Sequence, residues 1–163
     1  MAEHQEWDKE RAEQHARWAK MASRLTYAPF ARKNADRAGM SNFETRLGKA
    51  EEIPVEPHSV NLVVTQSSFH EWEEQRKGLS ESFRILKPGG SLILKDYNRS
   101  WLSGWRRGLF KFLLTMVGES YQDHVEMFKF TFDQVADLLR EAGFDEIKGK
   151  ARGLQFFVQA VKR

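Results

Sequence analysis

Residues 59–98 read SVNLVVTQSSFHEWEEQRKGLSESFRILKPGGSLILKDYN. Val60, Leu62, Val63 and Val64 form a short apolar run rich in β-branched residues, the pattern of a buried strand. Gln66, Ser67 and Ser68 end that run with small polar side chains. From Phe69 the period changes: Trp72, Leu79, Phe83 and Leu86 recur at helical spacing, which predicts one helix over residues 69–86. Lys87-Pro88-Gly89-Gly90 stops it, because proline cannot continue a helix and glycine takes a positive φ. Leu92, Ile93 and Leu94 make a second buried strand that ends at Lys95-Asp96-Tyr97. Strand, helix, turn and strand form a βαβ unit, whose crossover sets the two strands parallel. Parallel strands are covered on both faces, so the flanking chain has to supply the covers.

Working outward, residues 7–26 are polar and helix-prone, with Trp18, Met21, Ala22 and Leu25 in one apolar stripe. Tyr27-Ala28-Pro29-Phe30 is expected to break that helix, because the residue before proline avoids the helical region. Residues 31–38 read as a short helix capped by Gly39, and residues 42–47 alternate enough for a strand. After Asn98 come Trp101, Trp105, Leu109, Phe110, Phe112, Leu113, Met116 and Val117, interrupted by Arg106, Arg107 and Lys111. That run is too short and too charged to span a bilayer. Its leading reading is a helix over one sheet face; a pocket cap and a basic-aromatic helix lying on a membrane surface stay open. Thr131 is placed to cap a helix over residues 132–142 that Gly143 ends. Residues 144–150 and 154–161 read as an antiparallel pair.

Composition narrows the function. With 163 residues, 40% of them hydrophobic and 30% charged, the chain can bury one globular core. It holds no cysteine, which removes disulfides and thiolate metal sites. A net charge of +3 with mixed signs argues against a nucleic-acid partner. Met1 is followed by a charged segment with no apolar leader, so a cytoplasmic setting is expected.

The order of SVNLVVTQSSFHEW, RILKPGGSLILKDYN, TFDQVADLLREAGFDEI and LQFFVQAVKR resembles the class I S-adenosylmethionine-dependent methyltransferases. Within them it is similar to the branch containing the ubiquinone and menaquinone C-methyltransferases, over roughly four-fifths of the chain. The resemblance implies an α/β fold: a truncated Rossmann-like methyltransferase sheet, mainly parallel, with a C-terminal antiparallel hairpin. Residues 1–31 would form a helical cap, 32–98 the central core, 99–130 an aromatic cap insertion and 131–163 the closing helix and hairpin. The family places a strand, a G-x-G-x-G turn, a helix and a second strand before the segment matching residues 32–47. Here Phe30 and Ala31 lead directly to Arg32-Lys33-Asn34, and no G-x-G-x-G occurs anywhere. A block of about one βαβ unit, roughly 40–60 residues, is absent. Residues 42–47 are then expected to pair beside residues 60–65 or against a partner chain, and the open edge makes a homodimer an expectation.

Ligands of open α/β sheets sit beyond the carboxyl ends of the strands. The resemblance places S-adenosylmethionine against Lys49, Ala50 and Glu51 and against Thr65, Gln66 and Ser67. Lys49 stands where the family usually carries an aspartate, and a lysine cannot accept the adenine amine's hydrogen bond. Without the glycine turn and the ribose-holding acid, weak or absent cofactor binding is expected. His70, just past a strand end, could take a proton from a substrate or could simply pack at a helix start. Asp96, Tyr97, Trp101 and Trp105 are the candidates to face a small apolar or aromatic substrate. His70, His124 and Glu126 match no metal-ligand spacing, and no metal is expected. A non-catalytic binding or regulatory module, pairing with itself or with an intact homologue, is the second reading.

Overall fold

The apolar runs on either side of Lys87-Pro88-Gly89-Gly90 become neighbouring strands at one end of a four-stranded sheet. The computed structural model describes residues 27–163. They divide into two compact units, one ending at Leu47 and the other comprising Gly48–Arg163. The helix read over residues 7–26, with Trp18, lies outside the described residues.

In the first unit α1 runs from Tyr27 to Arg37, so residues 27–30 are helical where a break was expected. Gly39 follows with φ +69°, as a helix-ending glycine does. Residues 42–47 are irregular, which corrects the strand read there. Leu47 is 93% exposed, and Arg46 folds back to donate 2.8 Å to Glu44. With no ladder and no burial to reward it, alternation alone does not make a strand.

The second unit carries β1 (Val60–Gln66), α2 (Gln75–Ile85), β2 (Leu86–Tyr97), α3 (Trp105–Met116), α4 (Tyr121–Val125), α5 (Phe132–Glu141), β3 (Asp145–Arg152) and β4 (Gln155–Val161). The sheet order is β1-β2-β4-β3. β1 and β2 are parallel, while β2–β4 and β3–β4 are antiparallel. The sheet is thus mixed rather than mainly parallel, and the hairpin closes one edge as expected. β1 forms the other edge, with no second neighbour among the described residues.

Register assigns the faces. Val63 stands opposite Leu92, Thr65 opposite Leu94, and Leu94 opposite Val158, so these share one face with Phe156 and Ala160. Leu79 of α2 and Val135 and Leu139 of α5 cover that face and are fully buried with it. Burying each such leucine contributes about 1.5–3 kcal/mol. Arg76 and Glu141 tie the two helices together by an ion pair. Gly78 leaves room on α2 for the Trp72 ring, into which any Cβ at this position would run. On the opposite face Leu62 and Val64 stay 51% and 62% exposed, and Phe157, two strands away, is exposed as well.

Val60 pairs with Leu86 and Leu62 with Ser91, so Lys87-Pro88-Gly89-Gly90 loops out opposite Asn61 alone. Gly89 holds φ +79°, the role read for this turn. The helix expected over residues 69–86 is broken. Phe69–Glu71 form a 3-10 turn, and Trp72 and Glu74 are extended before α2 begins. Thr131 caps α5 with Gln134 in a reciprocal pair, as its sequence position foretells. α3 departs from its leading reading: no residue in it is buried, and Trp105, Phe112, Leu113 and Met116 are exposed. No helix of the described residues is long and apolar enough to cross a membrane.

Candidate functional site

The site is built where the two parallel strands end. Beyond Gln66, Ser67 turns with φ +51° while its N–H still donates 2.8 Å to Lys95. Thr65 and Ser68 share a hydroxyl–hydroxyl hydrogen bond of 2.8 Å across the turn. Phe69, fully buried, is held edge-on against Trp72 and tilted against Phe130, at 5.0 and 5.1 Å between ring centres. That anchor fixes the 3-10 turn and presents His70 to the end of β2.

There His70 meets Asp96. Its Nδ1 lies 2.8 Å from Asp96 Oδ1, and its backbone N–H donates 3.1 Å to Oδ2. Tyr97 N–H adds a 2.7 Å bond to Oδ1. His70 is 6% exposed and Asp96 1%, so the pair is shielded from water. Nε2 on the far side of the ring lies 3.2 Å from the exposed Glu71 carboxylate, so the imidazole stands between two carboxylates. Lys129 Nζ donates 2.7 Å to the His70 carbonyl.

An aromatic layer continues from the imidazole. Tyr97 sits edge-on to His70 at 5.5 Å and tilts against Phe128 at 5.5 Å. Phe128 stacks on Trp101 at 6.1 Å, and Phe110 of α3 packs edge-on against Phe128, Trp101 and Tyr121. Beside this layer lies a surface cavity of about 340 Å³, whose lining includes Arg99, Arg107, Tyr121, Glu126, Phe128 and Lys129.

The candidates divide on this geometry. His70, Asp96, Tyr97 and Trp101 converge. Trp105 does not join them: it is 73% exposed, with the Arg106 guanidinium 5.8 Å from its ring. Lys49 pairs with Glu73 at 3.0 Å, and this contact holds the Lys49 ammonium above its ordinary pKa. Buried Glu51 accepts the Glu74 N–H at the start of α2. The Thr65 hydroxyl is engaged by Ser68, which leaves Ala50, exposed Gln66 and Ser67 with no side-chain bond among the described residues. His124 turns back to Ser120, and no group of three or more metal-ligating side chains gathers among the described residues. Phe128 and Lys129 were not singled out from the sequence, because no local pattern marks their approach to Tyr97 and His70.

A family model described as a methyltransferase domain matches residues 12–94, just over half of the chain. The chain belongs to this methyltransferase family. It is 39% identical over 62 residues to the uncharacterized protein YafE of Escherichia coli, covering 38% of this chain and 30% of that one. It is 25% identical over 129 residues to a demethylmenaquinone methyltransferase of Listeria monocytogenes, covering 72% and 54%. A SAM-dependent methyltransferase from Aquifex aeolicus shares the fold with a TM-score of 0.60 and 21% identity, over 83% of this chain and 63% of that one. The chain therefore spans about a third to a half of the length of these two curated relatives.

The cofactor of this family is S-adenosylmethionine, in keeping with the S-adenosylmethionine-dependent enzymes that share the fold. The described residues do not make a cradle for it by themselves. Beyond β1, where the family's glycine turn would lie, no strand follows among them. Both the Glu51 carboxylate and the Thr65 hydroxyl are committed within the protein.

Proposed function

We propose that this methyltransferase domain provides the acceptor half of the reaction. It binds a small apolar or aromatic molecule under the aromatic layer and orients it for His70, while holding the methyl donor weakly or not at all. The observation that carries this reading is the shielded His70–Asp96 pair at the carboxyl ends of β1 and β2, the end where such sheets bind ligands. Asp96 holds the imidazole with Nδ1 protonated. Nε2 then takes a proton from a hydroxyl or an acidic carbon of the acceptor, once the exposed Glu71 swings aside. Tyr97 and Trp101, backed by buried Phe128, offer ring faces to the acceptor and exclude water from the transfer.

Weak donor binding follows from the absent block. Each missing hydrogen bond to the charged ligand removes about 1.5–3 kcal/mol, so a few weaken affinity by several powers of ten. Calorimetric titration of the chain with S-adenosylhomocysteine tests this; a low-micromolar dissociation constant overturns it. A cytoplasmic setting belongs to the same reading, and recovery of the chain in salt-washed membranes overturns that part.

A second reading is favoured by the open edge of β1, where Leu62 and Val64 are half exposed or more. An unpaired strand with apolar side chains is a template for another chain, so a regulatory module pairing with itself or with an intact homologue fits there. Light scattering that finds a well-behaved monomer at high concentration removes the self-pairing form.

A further inference from the structure

Trp105, Leu109, Phe112 and Met116 recur at intervals of four, three and four along α3, so they line one stripe of the helix. All four are exposed, Trp105 at 73% and Met116 at 69%. The other side of α3 is occupied: Phe110 packs edge-on against Phe128, Trp101 and Tyr121, and Leu114 is half-buried. The helix is therefore seated by one side and presents an apolar stripe on the other, the kind of patch that marks an interaction surface. Its charges are of one sign. Arg106 borders the stripe, with its guanidinium 5.8 Å from the Trp105 ring, Arg107 and Lys111 lie further round, and α3 has no acidic residue. The acids that follow, Glu119, Asp123 and Glu126, lie beyond Gly118, which takes φ +76° after the helix ends. At the start of α3, Gly104 supplies no side-chain cap and no acid stands in the first turn. Arg106 and Arg107 thus sit at the positive end of the helix dipole, where an anion is the favourable neighbour.

We propose that α3 is a peripheral docking surface for an anionic lipid bilayer. The stripe from Trp105 to Met116 enters the boundary between head groups and acyl chains, while Arg106, Lys111 and the uncapped first turn meet the lipid phosphates. The 12 residues of α3 rise about 18 Å against a hydrocarbon core of about 30 Å, so the helix lies on the bilayer and does not span it. A second copy of α3 brings the same cations and no acid to offset them, which favours a lipid surface over self-pairing. Salt screens the electrostatic part, so the contact is reversible and a salt wash releases the chain. The inference goes beyond the acceptor-half reading, and it needs neither His70 nor a methyl donor.

The test titrates the full chain with phosphatidylcholine vesicles, with and without phosphatidylglycerol, and reads co-sedimentation and tryptophan emission. Anionic vesicles are expected to bind at least about tenfold more tightly than neutral ones, with a blue shift as Trp105 leaves water. Trp105→Phe should keep most of the binding and lose most of the shift; a shift that persists unchanged overturns the seating of the stripe. Leu109→Ser/Met116→Ser is expected to weaken binding about a hundredfold, roughly tenfold for each apolar side chain withdrawn. Arg106→Gln/Lys111→Gln is expected to weaken it about tenfold or more, since each charge near an anionic surface contributes about fivefold. All of these positions are exposed, so the melting temperature should stay at the wild-type value. Equal binding to neutral and anionic vesicles overturns the electrostatic part, and wild-type binding by Leu109→Ser/Met116→Ser overturns the apolar stripe. No binding to either vesicle at low salt, or self-association without vesicles that the same double variant abolishes, overturns the lipid surface altogether. Each outcome leaves the reading of His70 standing.

Discussion

Asp96→Asn changes one atom, yet the surrounding hydrogen bonds make it costly. Asp96 is placed to accept three hydrogen bonds: Oδ1 faces His70 Nδ1 and the Tyr97 N–H, and Oδ2 faces the His70 N–H. An asparagine offers one oxygen and one NH2. With the NH2 in the Oδ2 position, it faces the His70 N–H donor to donor. With the amide flipped, it faces the Tyr97 N–H and forces the imidazole proton onto Nε2, beside Glu71. Either way a backbone donor that faces the 1%-exposed Asp96 position loses its partner. An unsatisfied buried donor costs about 1–3 kcal/mol, with charge-assisted bonds at the upper end, so about 2–3 kcal/mol is expected. Against the usual total of about 5–15 kcal/mol, that is a large fraction.

Urea denaturation of both proteins measures it, as a lower midpoint with an unchanged slope. His70→Ala and the double variant complete a cycle that isolates the side-chain bond from the two backbone bonds. Stability of Asp96→Asn within about 0.5 kcal/mol of wild type, the range of ordinary surface changes, refutes the reasoning. It would mean that the buried carboxylate contributes nothing that a neutral amide cannot.

Other consequences follow from separate parts of the fold. Lys162 is buried, donates to Phe83 O and faces His58 Nδ1, and desolvation lowers its pKa from 10.5. The folded chain then holds that proton less tightly than the unfolded one, so stability rises with pH in the window just below 10.5. Urea midpoints across this window should lose that rise in Lys162→Met; a fall in wild type, or a rise that persists in the variant, contradicts it. Thr131→Ala removes one side of the capping pair with Gln134 and is expected to cost about 0.5–2 kcal/mol in thermal melts, while Asp133→Asn beside it costs less. Finally, α3 exposes Trp105, Leu109, Phe112 and Met116 and carries Arg106, Arg107 and Lys111 with no acidic residue. We expect it to sediment with phosphatidylglycerol-containing vesicles, and Trp105→Ser/Phe112→Ser to abolish this; a chain that stays in the supernatant at low salt excludes a membrane contact.

What the sequence revealed depended on whether a signal was local. β1, α2 and β2 were legible because apolar runs and a proline-glycine turn declare themselves within a few residues. Thr131 as a helix cap, and the final hairpin, were legible for the same reason. The break at residues 72–74 was not, because the contacts made there, Trp72 against Phe69 and Gly78 and the Glu74 N–H to Glu51, are assembled only by folding. Residues 42–47 misled in the opposite way, with a local pattern and no ladder to join. His70 and Asp96 were each singled out, but not as a pair, although parallel register offered the clue. Gln66 lies level with Lys95, so the turn after β1 must meet the residue after Lys95. The cavity was beyond reach, since Arg99, Arg107, Tyr121 and Lys129 come from separate stretches and only folding assembles them.

The two halves of a methyltransferase site rest on different supports here. Asp96 projects from β2, an interior strand bonded on both sides, into the same layer as Leu94 and Phe156. His70 is fixed by Phe69, which is fully buried in the core. Neither support needs the outer edge of β1. On the proposed reading the donor half would build on the outer edge of β1, where Leu62 and Val64 are exposed, and its loss would leave intact the core that holds His70, Asp96 and the aromatic layer.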